Sequence, residues 1–463
     1  MSAGRTPGSG PPLIAGDRLE VVIQDLAFGG KGVARADGFV VFVEGALPGE
    51  RVRARVRRVR RGFAEASCEA VLHPSSDRVD PPCRHYGPCG GCDLQHLAVA
   101  AQARAKRDQV DALLRRVARV PDPVVAPALL AGASSEYRGR MDFDWGRDAS
   151  GAAVLGLHHR ADAARIQAIE DCRVLPREAN AVRNTLALLA RGRGLSTWDA
   201  RSGRGLLRRA TLRTARSTGE VLAVLETGRG DPPELAALVR ELQRRHPRIV
   251  GVVRRAFDRD GTLVEESILA GRDHLFEEID GDRYRIPAES FFQPNTAGLA
   301  LLRRTALELL TPAAGERVLE IYAGVGFFTV SLARSAAEVT AIEGSRAAVG
   351  AARDNLAAAG CANVRLVQGD AAVVLPPVLA GERFDAGLVD PPRAGLVPGV
   401  LQSLAPTGPP RLVYVSCDPA TLARDVGGFV AAGFRLVRAV PIDLFPHTHH
   451  LECVVLLERA PAS

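Results

Sequence analysis

The stretch Arg317-Val-Leu-Glu-Ile-Tyr-Ala-Gly-Val-Gly-Phe-Phe328 decides the fold class of this chain. A short apolar run ends in a Gly-x-Gly turn, Gly324 to Gly326, and a helical pattern follows it. Apolar runs and helical segments then alternate up to residue 458. Because strands that alternate with helices form a parallel sheet, the sequence predicts a doubly wound α/β domain, with the turn amides facing a ligand.

Acidic residues close the next three predicted strands: Glu343, Asp370 and Asp390. Glu343 stands where a carboxylate accepts hydrogen bonds from the ribose hydroxyls of a nucleoside ligand. Thr329 replaces the third glycine of a dinucleotide fingerprint, which argues against NAD. The pattern favours S-adenosylmethionine, which has a cationic sulfonium and no pyrophosphate. The alternative is a generic α/β sheet with acidic strand ends.

A further strand, Arg411–Ser416, delivers Cys417 to the mouth of the same sheet, where doubly wound domains bind ligands. On its own such a thiol is more often a packing residue. The last predicted strand, residues 451–457, brings Glu452 near the same face. A thiol, a carboxylate and a methyl donor predict methylation of uracil C5: Cys417 adds to C6, C5 takes the methyl group, and Glu452 removes the C5 proton.

The composition indicates a polyanionic partner. The 463 residues include 60 Lys and Arg against 53 Asp and Glu, for a net charge of +7 and an isoelectric point of about 9.2. Such a balance favours nucleic acid as the partner. The length exceeds what one core supports, so two or three domains are expected.

The sequence predicts a cytoplasmic protein without membrane contact. No apolar run is long enough to span a bilayer, and residues 1–12 lack the apolar centre of a signal peptide. Because cytosolic thiols stay reduced, the eight Cys are expected to be ligands, nucleophiles or core residues instead of disulfides.

Residues 13–72 predict a small five-stranded β-barrel. In Arg51-Val-Arg-Ala-Arg-Val-Arg57 the strict alternation places the arginines on one face and the apolar residues on the other. Barrels with such a face commonly bind single-stranded nucleic acid. The alternative is an edge strand protected by charge.

A cysteine-rich segment follows, Cys83-Arg-His-Tyr-Gly-Pro-Cys89-Gly-Gly-Cys92. Clustered thiols in a loop predict a metal site. A zinc ion would need a fourth ligand nearby, such as His85 or His96. An iron–sulfur cluster would need a fourth thiolate, which Cys172 can supply, and the spacing favours the cluster. Residues 133–280 read as mixed α/β without a chemical motif and are interpreted as a substrate platform.

Taken together, these motifs resemble the RNA uracil-5-methyltransferase family, whose members combine an RNA-binding TRAM barrel, an iron–sulfur cluster and a class I methyltransferase domain. The motifs that carry the resemblance are Gly29-Gly-Lys-Gly-Val-Ala-Arg35, Gly45-Ala-Leu-Pro-Gly-Glu50, the four cysteines, Ser290-Phe-Phe-Gln-Pro-Asn295, Gly324-Val-Gly326, Asp390-Pro-Pro-Arg393, Ser416-Cys-Asp-Pro419 and His450-Leu-Glu452.

The resemblance implies roles for individual residues. It implies a 4Fe–4S cluster on Cys83, Cys89, Cys92 and Cys172, with Cys417 as nucleophile and Glu452 as base. It implies that S-adenosylmethionine contacts Gln293, Tyr322, Gly324, Gly326, Glu343 and Asp390, with Asp370 near the adenine.

Two residues depart from the family pattern, which usually has Asn at both positions. Asp418 follows the nucleophile and is expected to raise the pKa of Cys417. Phe327 follows the glycine turn and is expected to remove one polar contact to the cofactor. His447, His449 and His450 are interpreted as RNA-contacting or pocket-shaping residues, or alternatively as ordinary loop residues.

These patterns predict a multidomain α/β protein with four segments. Residues 1–12 form a disordered tail, 13–72 an OB-like TRAM barrel, 73–285 a central α+β domain with the cluster-binding loop, and 286–463 a Rossmann-like methyltransferase domain. We expect a monomer that methylates C5 of a specific uridine in 23S rRNA. The alternatives are methylation of uridine 54 in tRNA and a non-catalytic RNA-binding factor, and DNA is not an expected substrate.

Overall fold

The structure is a computed structural model that describes residues 13–230 and 232–460, so the predicted tail at residues 1–12 lies outside the described residues. The first domain is a six-stranded sheet of order β1-β5-β6-β4-β3-β2. Its strands are β1 (Arg18–Val22), β2 (Asp25–Leu26), β3 (Gly32–Ala36), β4 (Phe39–Glu44), β5 (Arg51–Val59) and β6 (Phe63–His73). The prediction of five strands is wrong because β2, at two residues, is too short to show an alternating pattern.

The alternation in β5 builds the core of this domain as predicted. Val52, Ala54 and Val56 are fully buried in one cluster, while the arginines between them face solvent. Burying one face of a strand fixes its register, since a slip by one residue would bury the arginines.

The cysteine segment leads into α1 (Val99–Arg116) and β7 (Leu129–Leu130). Both belong spatially with the C-terminal part of the chain, because α1 packs on the helix and strand near residues 419–443 and β7 pairs with that strand. The buried ion pair between Lys106 Nζ and Asp443 Oδ1, at 2.6 Å, joins α1 to the same strand.

A seven-stranded sheet forms the central domain, in the order β10-β9-β8-β11-β12-β13-β14. Helix α2 contacts β9 and β11, and α3 contacts α2 and β14. A separate two-stranded hairpin, β15–β16, follows. The bounds are β8 (Arg140–Arg147), β9 (Ala153–His159), β10 (Asp162–Ala168), α2 (Arg177–Gly192), β11 (Leu207–Thr214), β12 (Val221–Thr227), α3 (Pro233–Arg245), β13 (Ile249–Phe257), β14 (Leu263–Gly271), β15 (His274–Ile279) and β16 (Asp282–Pro287).

The C-terminal domain has the predicted doubly wound fold. Its sheet has the order β19-β18-β17-β20-β21-β23-β22-β7, in which β19 to β21 are parallel and β23 is antiparallel to both of its neighbours. The bounds are α4 (Thr296–Leu310), β17 (Arg317–Ile321), α5 (Phe327–Ser335), β18 (Glu338–Glu343), α6 (Arg346–Ala358), β19 (Val364–Gln368), α7 (Ala371–Gly381), β20 (Ala386–Val389), α8 (Pro398–Thr407), β21 (Arg411–Ser416), α9 (Pro419–Ala431), β22 (Phe434–Asp443) and β23 (Glu452–Arg459).

Both faces of this sheet are buried. Successive strand residues point to opposite faces, so Val318 enters one apolar core and Leu319 enters the other. This explains why β17 and β21 read as continuous apolar runs. Within the described residues, no helix is both long and apolar enough to cross a membrane.

Candidate active site

Three neighbouring strands bring the predicted catalytic groups to one edge of the sheet. Cys417 follows β21 directly, and Glu452 is the first residue of β23. The antiparallel register pairs Ser416 with Cys453, so Cys417 and Glu452 lie opposite each other. Asp390 follows β20, which runs parallel to β21 on its other side. The structure therefore brings together a thiol and two carboxyl groups from distant parts of the chain.

Glu452 is held in an environment that favours its protonated form. Its side chain is fully buried, and Oε1 accepts a 2.9 Å hydrogen bond from Gln293 Nε2. Its Oε2 has no hydrogen-bond partner among the described residues. Burial, and then the charge of Asp390, raise the pKa of Glu452 to about 8. A carboxylate with such a pKa is a strong proton acceptor near neutral pH, as a general base needs to be.

The surroundings of Cys417 favour the protonated form of its thiol. Burial, with the negative charge of Glu452 and smaller contributions from Asp390 and Asp418, raises the pKa of Cys417 to about 12, and only Arg393 acts against this. Burial also raises the pKa of Asp390 to about 7. A thiol with such a raised pKa reacts as a nucleophile only if a neighbouring group accepts its proton, and two carboxyl groups lie beside Cys417.

Asp418 has a structural role that its sequence position did not reveal. Its Oδ1 accepts hydrogen bonds from Ala420 N and Thr421 N, both at 2.9 Å, and so caps α9. Asn caps helices as well as Asp does, which accounts for either residue at this position. The predicted increase in the pKa of Cys417 is present, but it is smaller than the effect of burial.

The predicted nucleoside pocket lies at the ends of β17 and β18. Glu343 Oε2 accepts a hydrogen bond from Gly324 N at 2.9 Å, and Oε1 accepts one from Ser345 N at 2.7 Å. Gly326 has a φ of +86° at the start of α5, and Tyr322 has a φ of +68°. Left-handed backbone in a non-glycine residue is costly and clusters at ligand sites. The turn thus holds the Glu343 carboxylate in a fixed orientation.

The other predicted ligand-pocket residues differ in their surroundings. Asp370 is exposed and caps α7, with Oδ1 accepting from Ala372 N at 2.9 Å. The Phe327 ring is buried against Tyr284, Phe292 and Phe328. Phe327 therefore belongs to the apolar core, and the loss of a polar contact to the cofactor at this position stays a prediction.

Two residues near the site were missed in the sequence. Glu320 is buried within β17 near Asp390 and Glu343, and burial raises its pKa to about 8. An acidic residue inside an apolar strand was the signal that could have identified it. Arg393 gives the positive charge that opposes the carboxylates around Cys417. Its motif was noted, but nothing in the sequence linked it to the thiol.

The four predicted metal-binding cysteines line one cavity. It has a volume of about 390 Å³ including its mouth, and it is lined by Cys83, Cys89, Cys92, Cys172, His85 and Tyr86, together with Gln95, Arg173 and apolar residues. His96, the other candidate zinc ligand, is not among the lining residues; its Nδ1 is within 2.5 Å of Tyr86 Oη. In the described part of the chain, no three His, Cys, Asp or Glu side chains are grouped to hold a metal ion.

Comparison with known proteins identifies the family. The model of the tRNA (Uracil-5-)-methyltransferase family matches residues 265–460, and that of the TRAM domain matches residues 13–68. An uncharacterised RNA methyltransferase of Halalkalibacterium halodurans is 33% identical over 451 residues, covering 96% of this chain and 98% of the relative. This chain belongs to the RNA (uracil-5-)-methyltransferase family. The predicted enzyme class, TRAM barrel and RNA substrate are thereby confirmed for this methyltransferase.

Other relatives extend the likeness over the whole methyltransferase. An uncharacterised RNA methyltransferase of Gloeobacter violaceus is 34% identical, covering 97% of this chain and 98% of the relative. Among solved structures, the Pyrococcus abyssi tRNA (uracil-54, C5)-methyltransferase in complex with S-adenosyl-L-homocysteine has a TM-score of 0.74 and 26% identity. That match covers 95% of this chain and 100% of the other. The predicted multidomain α/β fold is confirmed.

Proposed function

We propose that this methyltransferase transfers a methyl group from S-adenosylmethionine to C5 of a specific uridine in 23S rRNA. The observation that carries the chemistry is the apposition of Cys417 and Glu452 across β21 and β23. The second candidate substrate is uridine 54 of tRNA, which is favoured by the likeness to the Pyrococcus abyssi tRNA enzyme.

We propose Cys417 as nucleophile and Glu452 as base. Uracil C5 is a poor nucleophile, and addition of the Cys417 sulfur to C6 makes C5 electron-rich enough to accept a methyl group. Glu452 then removes the C5 proton, the C5–C6 double bond re-forms and the bond between C6 and sulfur breaks. Support for Glu452 comes from its raised pKa and from the free Oε2, since Oε1 is held by Gln293.

We propose that S-adenosylmethionine contacts Gln293, Tyr322, Gly324, Gly326, Glu343, Asp370 and Asp390. When bound, it supplies a methyl group on a cationic sulfonium. The fixed Glu343 carboxylate suits ribose hydroxyls, and Asp390 offers a negative charge to the sulfonium. Asp370 has the weakest support, because one of its oxygens already caps α7.

We further propose that Cys83, Cys89, Cys92 and Cys172 hold a 4Fe–4S cluster. The four thiols open into one cavity, although Cys172 is remote in sequence from the other three. Thiolates are the ligands that such clusters use. The predicted domain boundaries at 72/73 and 285/286, the monomeric state and the cytoplasmic location stay predictions.

The basic face of the barrel is the proposed entry surface for RNA. Arg51 and Arg53 on this face pair with Glu20 on β1, at 3.1 and 3.0 Å. Arg55 and Arg58 make no such pair within the described residues and are available for phosphates. Because the thiol is partly buried, the target uridine has to leave its stack to reach Cys417.

Labelled S-adenosylmethionine tests this function directly. The purified protein is incubated with 23S rRNA, tRNA and DNA from a strain that lacks this chain, and 5-methyluridine is mapped in the products. Label in one rRNA uridine supports the proposal, and label in tRNA uridine 54 selects the second candidate. Label confined to DNA, or no covalent adduct with RNA that carries 5-fluorouridine at the target, would contradict it.

A further inference from the structure

The loop that leads into Glu452, residues 444–451 between β22 and β23, has a strained backbone. His447 in this loop has a φ of +69°, which non-glycine residues rarely adopt. Its N–H donates to Gln102 Oε1 at 2.6 Å, and its carbonyl accepts from Asp93 N and Leu94 N at 2.8 and 2.9 Å. Such a conformation persists only where the surroundings fix it, so the loop is held from outside the methyltransferase sheet.

Asp93, the residue after Cys92, makes several of the hydrogen bonds that fix this loop. Its Oδ2 accepts hydrogen bonds from His449 Nδ1 at 2.6 Å and from His449 N at 3.3 Å. Its Oδ1 accepts one from Arg160 Nη1 at 3.3 Å, and Arg160 also lies 3.5 Å from Glu44 of β4. Asp93 therefore forms hydrogen bonds with the loop 444–451 and with Arg160 of the central domain, and Arg160 links it to the barrel.

The barrel also reaches this junction through its glycine-rich turn. The Phe28 ring lies edge-on to His449, with ring centroids 5.2 Å apart. A Cβ on Gly30 would lie only 3.1 Å from Asp93 Cβ and 3.2 Å from a Leu94 methyl carbon, so the turn packs tightly on the segment after Cys92. All three domains thus meet around Asp93 and His449.

We propose that Asp93 is a positioning residue for removal of the C5 proton, which rests on the proposed function. By bonding His449 and His447, Asp93 sets where the loop enters β23 and hence where Glu452 Oε2 lies relative to the substrate. In the affected step the C5–H bond breaks and the proton passes to Glu452. The electron pair of that bond re-forms the C5–C6 double bond, and the bond between C6 and sulfur breaks so that the Cys417 thiolate departs. Among the described residues Asp93 makes no hydrogen bond or ion pair with β21, so we expect addition of Cys417 and methyl transfer to be unaffected.

The test uses the full chain and RNA with tritium at C5 of the target uridine. Asp93→Ala is expected to slow tritium release by about tenfold or more, the loss that accompanies a hydrogen bond to a charged group. A covalent protein–RNA adduct should accumulate with ordinary uridine. Asp93→Asn still offers an oxygen to His449 and is expected to stay within about threefold of the parent. Asp80→Ala is the matched control, because exposed Asp80 makes no hydrogen bond or ion pair in the described residues.

Further measurements separate positioning from unfolding or metal loss. Thermal unfolding and iron per chain are measured for each variant. Trapping on 5-fluorouridine RNA reports addition and methyl transfer, the two steps that precede removal of the C5 proton. If Asp93→Ala fails to fold, His449→Phe replaces it, since this variant keeps the ring beside Phe28 but removes the Nδ1 donor. Normal tritium release in these variants, or equal losses of trapping and release, overturns the proposal. Absence of trapping in the parent protein would instead contradict the proposed function.

Discussion

The molecule buries cysteine thiols in two regions, and the groups around them differ. In the four-cysteine cavity, burial raises the pKa of Cys92 to about 12, and the charged neighbours that add to this are other thiols. At the sheet mouth, burial raises the pKa of Cys417 to a similar value, but its neighbours are carboxyl groups and an opposing arginine. The first region would suit a ligand that replaces the protons of several thiols together, as the proposed cluster would. In the second region, transfer of one proton from Cys417 to a carboxylate would be enough for the proposed reaction.

The largest effect is expected from substitution of Cys417, the thiol at the sheet mouth. Cys417→Ala removes the proposed nucleophile, so methyl transfer should fall by roughly 10⁴-fold or more. No adduct should form with 5-fluorouridine RNA. The control is Cys361→Ala, which alters a half-buried thiol whose hydrogen bonds within the described residues go to the backbone carbonyls of Val330 and Ala359, both at 3.8 Å. Unchanged methyl transfer by Cys417→Ala would leave only a packing role for this thiol.

Substitution of the carboxyl partner comes next in size. Glu452→Gln keeps the bulk of the side chain but cannot accept the C5 proton, so turnover should fall by about 10²- to 10⁴-fold. Because Cys417 is intact, the methylated protein–RNA adduct should build up on a denaturing gel. A variant that turns over normally, or one that forms no adduct, would rule out Glu452 as the base.

Substitutions in the four-cysteine cavity should lower the stability of the protein more than its rate of methyl transfer. Cys89→Ser removes one proposed cluster ligand, so iron per chain should fall and the free energy of unfolding should drop by about 2–5 kcal/mol, as when structural metal or cross-links are lost. Trapping of 5-fluorouridine RNA by the folded fraction should remain within about threefold of the parent. Equal metal content in parent and variant would argue against ligation by Cys89.

Stability should also vary with pH because of Glu452. Its folded pKa of about 8 lies above the ordinary value of 4.5, so the folded state binds a proton more tightly than the unfolded state. The resulting stability is complete below about pH 4.5 and is lost as pH rises through 8, by on the order of a few kcal/mol. Between pH 5 and 9 the unfolding temperature should fall less steeply with pH in Glu452→Gln than in the parent. Parallel curves for the two proteins would contradict the raised pKa of Glu452.

Turnover should change with pH in the opposite direction. The base form of Glu452 increases about tenfold per pH unit below its pKa of about 8, so kcat should rise from pH 6 to 8. Single-turnover rates of tritium release measure this step without interference from RNA binding. A rate that falls over this range would mean that the protonated form of Glu452 is the active one.

Strand positions were predicted best from the sequence where a strand is buried on both faces of the sheet. Strand β18 spans the predicted residues 338–343, because a strand buried on both faces is an unbroken apolar run between helices. The β15–β16 hairpin was missed, since adjacent charged residues, Glu277-Glu278 and Asp282-Arg283, interrupt any alternation and its strands belong to no larger sheet. The fold class can be predicted from such local patterns, whereas short strands that form small separate sheets cannot.

Contacts between distant segments were beyond local patterns. Local patterns did not assign α1 and β7 to the methyltransferase domain, because that packing depends on side chains such as Lys106 and Asp443, which are far apart in the chain. The pairing of Asp93 with His449 was hidden for the same reason. Cys417 and Glu452 could be linked from the sequence only because Cys417 follows one strand and Glu452 begins another, in a sheet whose topology could be inferred.

The smallest expected effect concerns Asp418, next to the nucleophile. Asp418→Asn keeps the cap on α9 but removes a negative charge that raises the pKa of Cys417. Adduct formation near neutral pH should therefore speed up by a few-fold at most, since each pKa unit corresponds to about tenfold in thiolate. Stability should fall by about 0.3–1 kcal/mol, because the charge also favours the helix N-terminus. A slower variant would mean that Asp418 assists the thiol, and Asp418→Ala, which loses cap and charge together, would distinguish the two contributions.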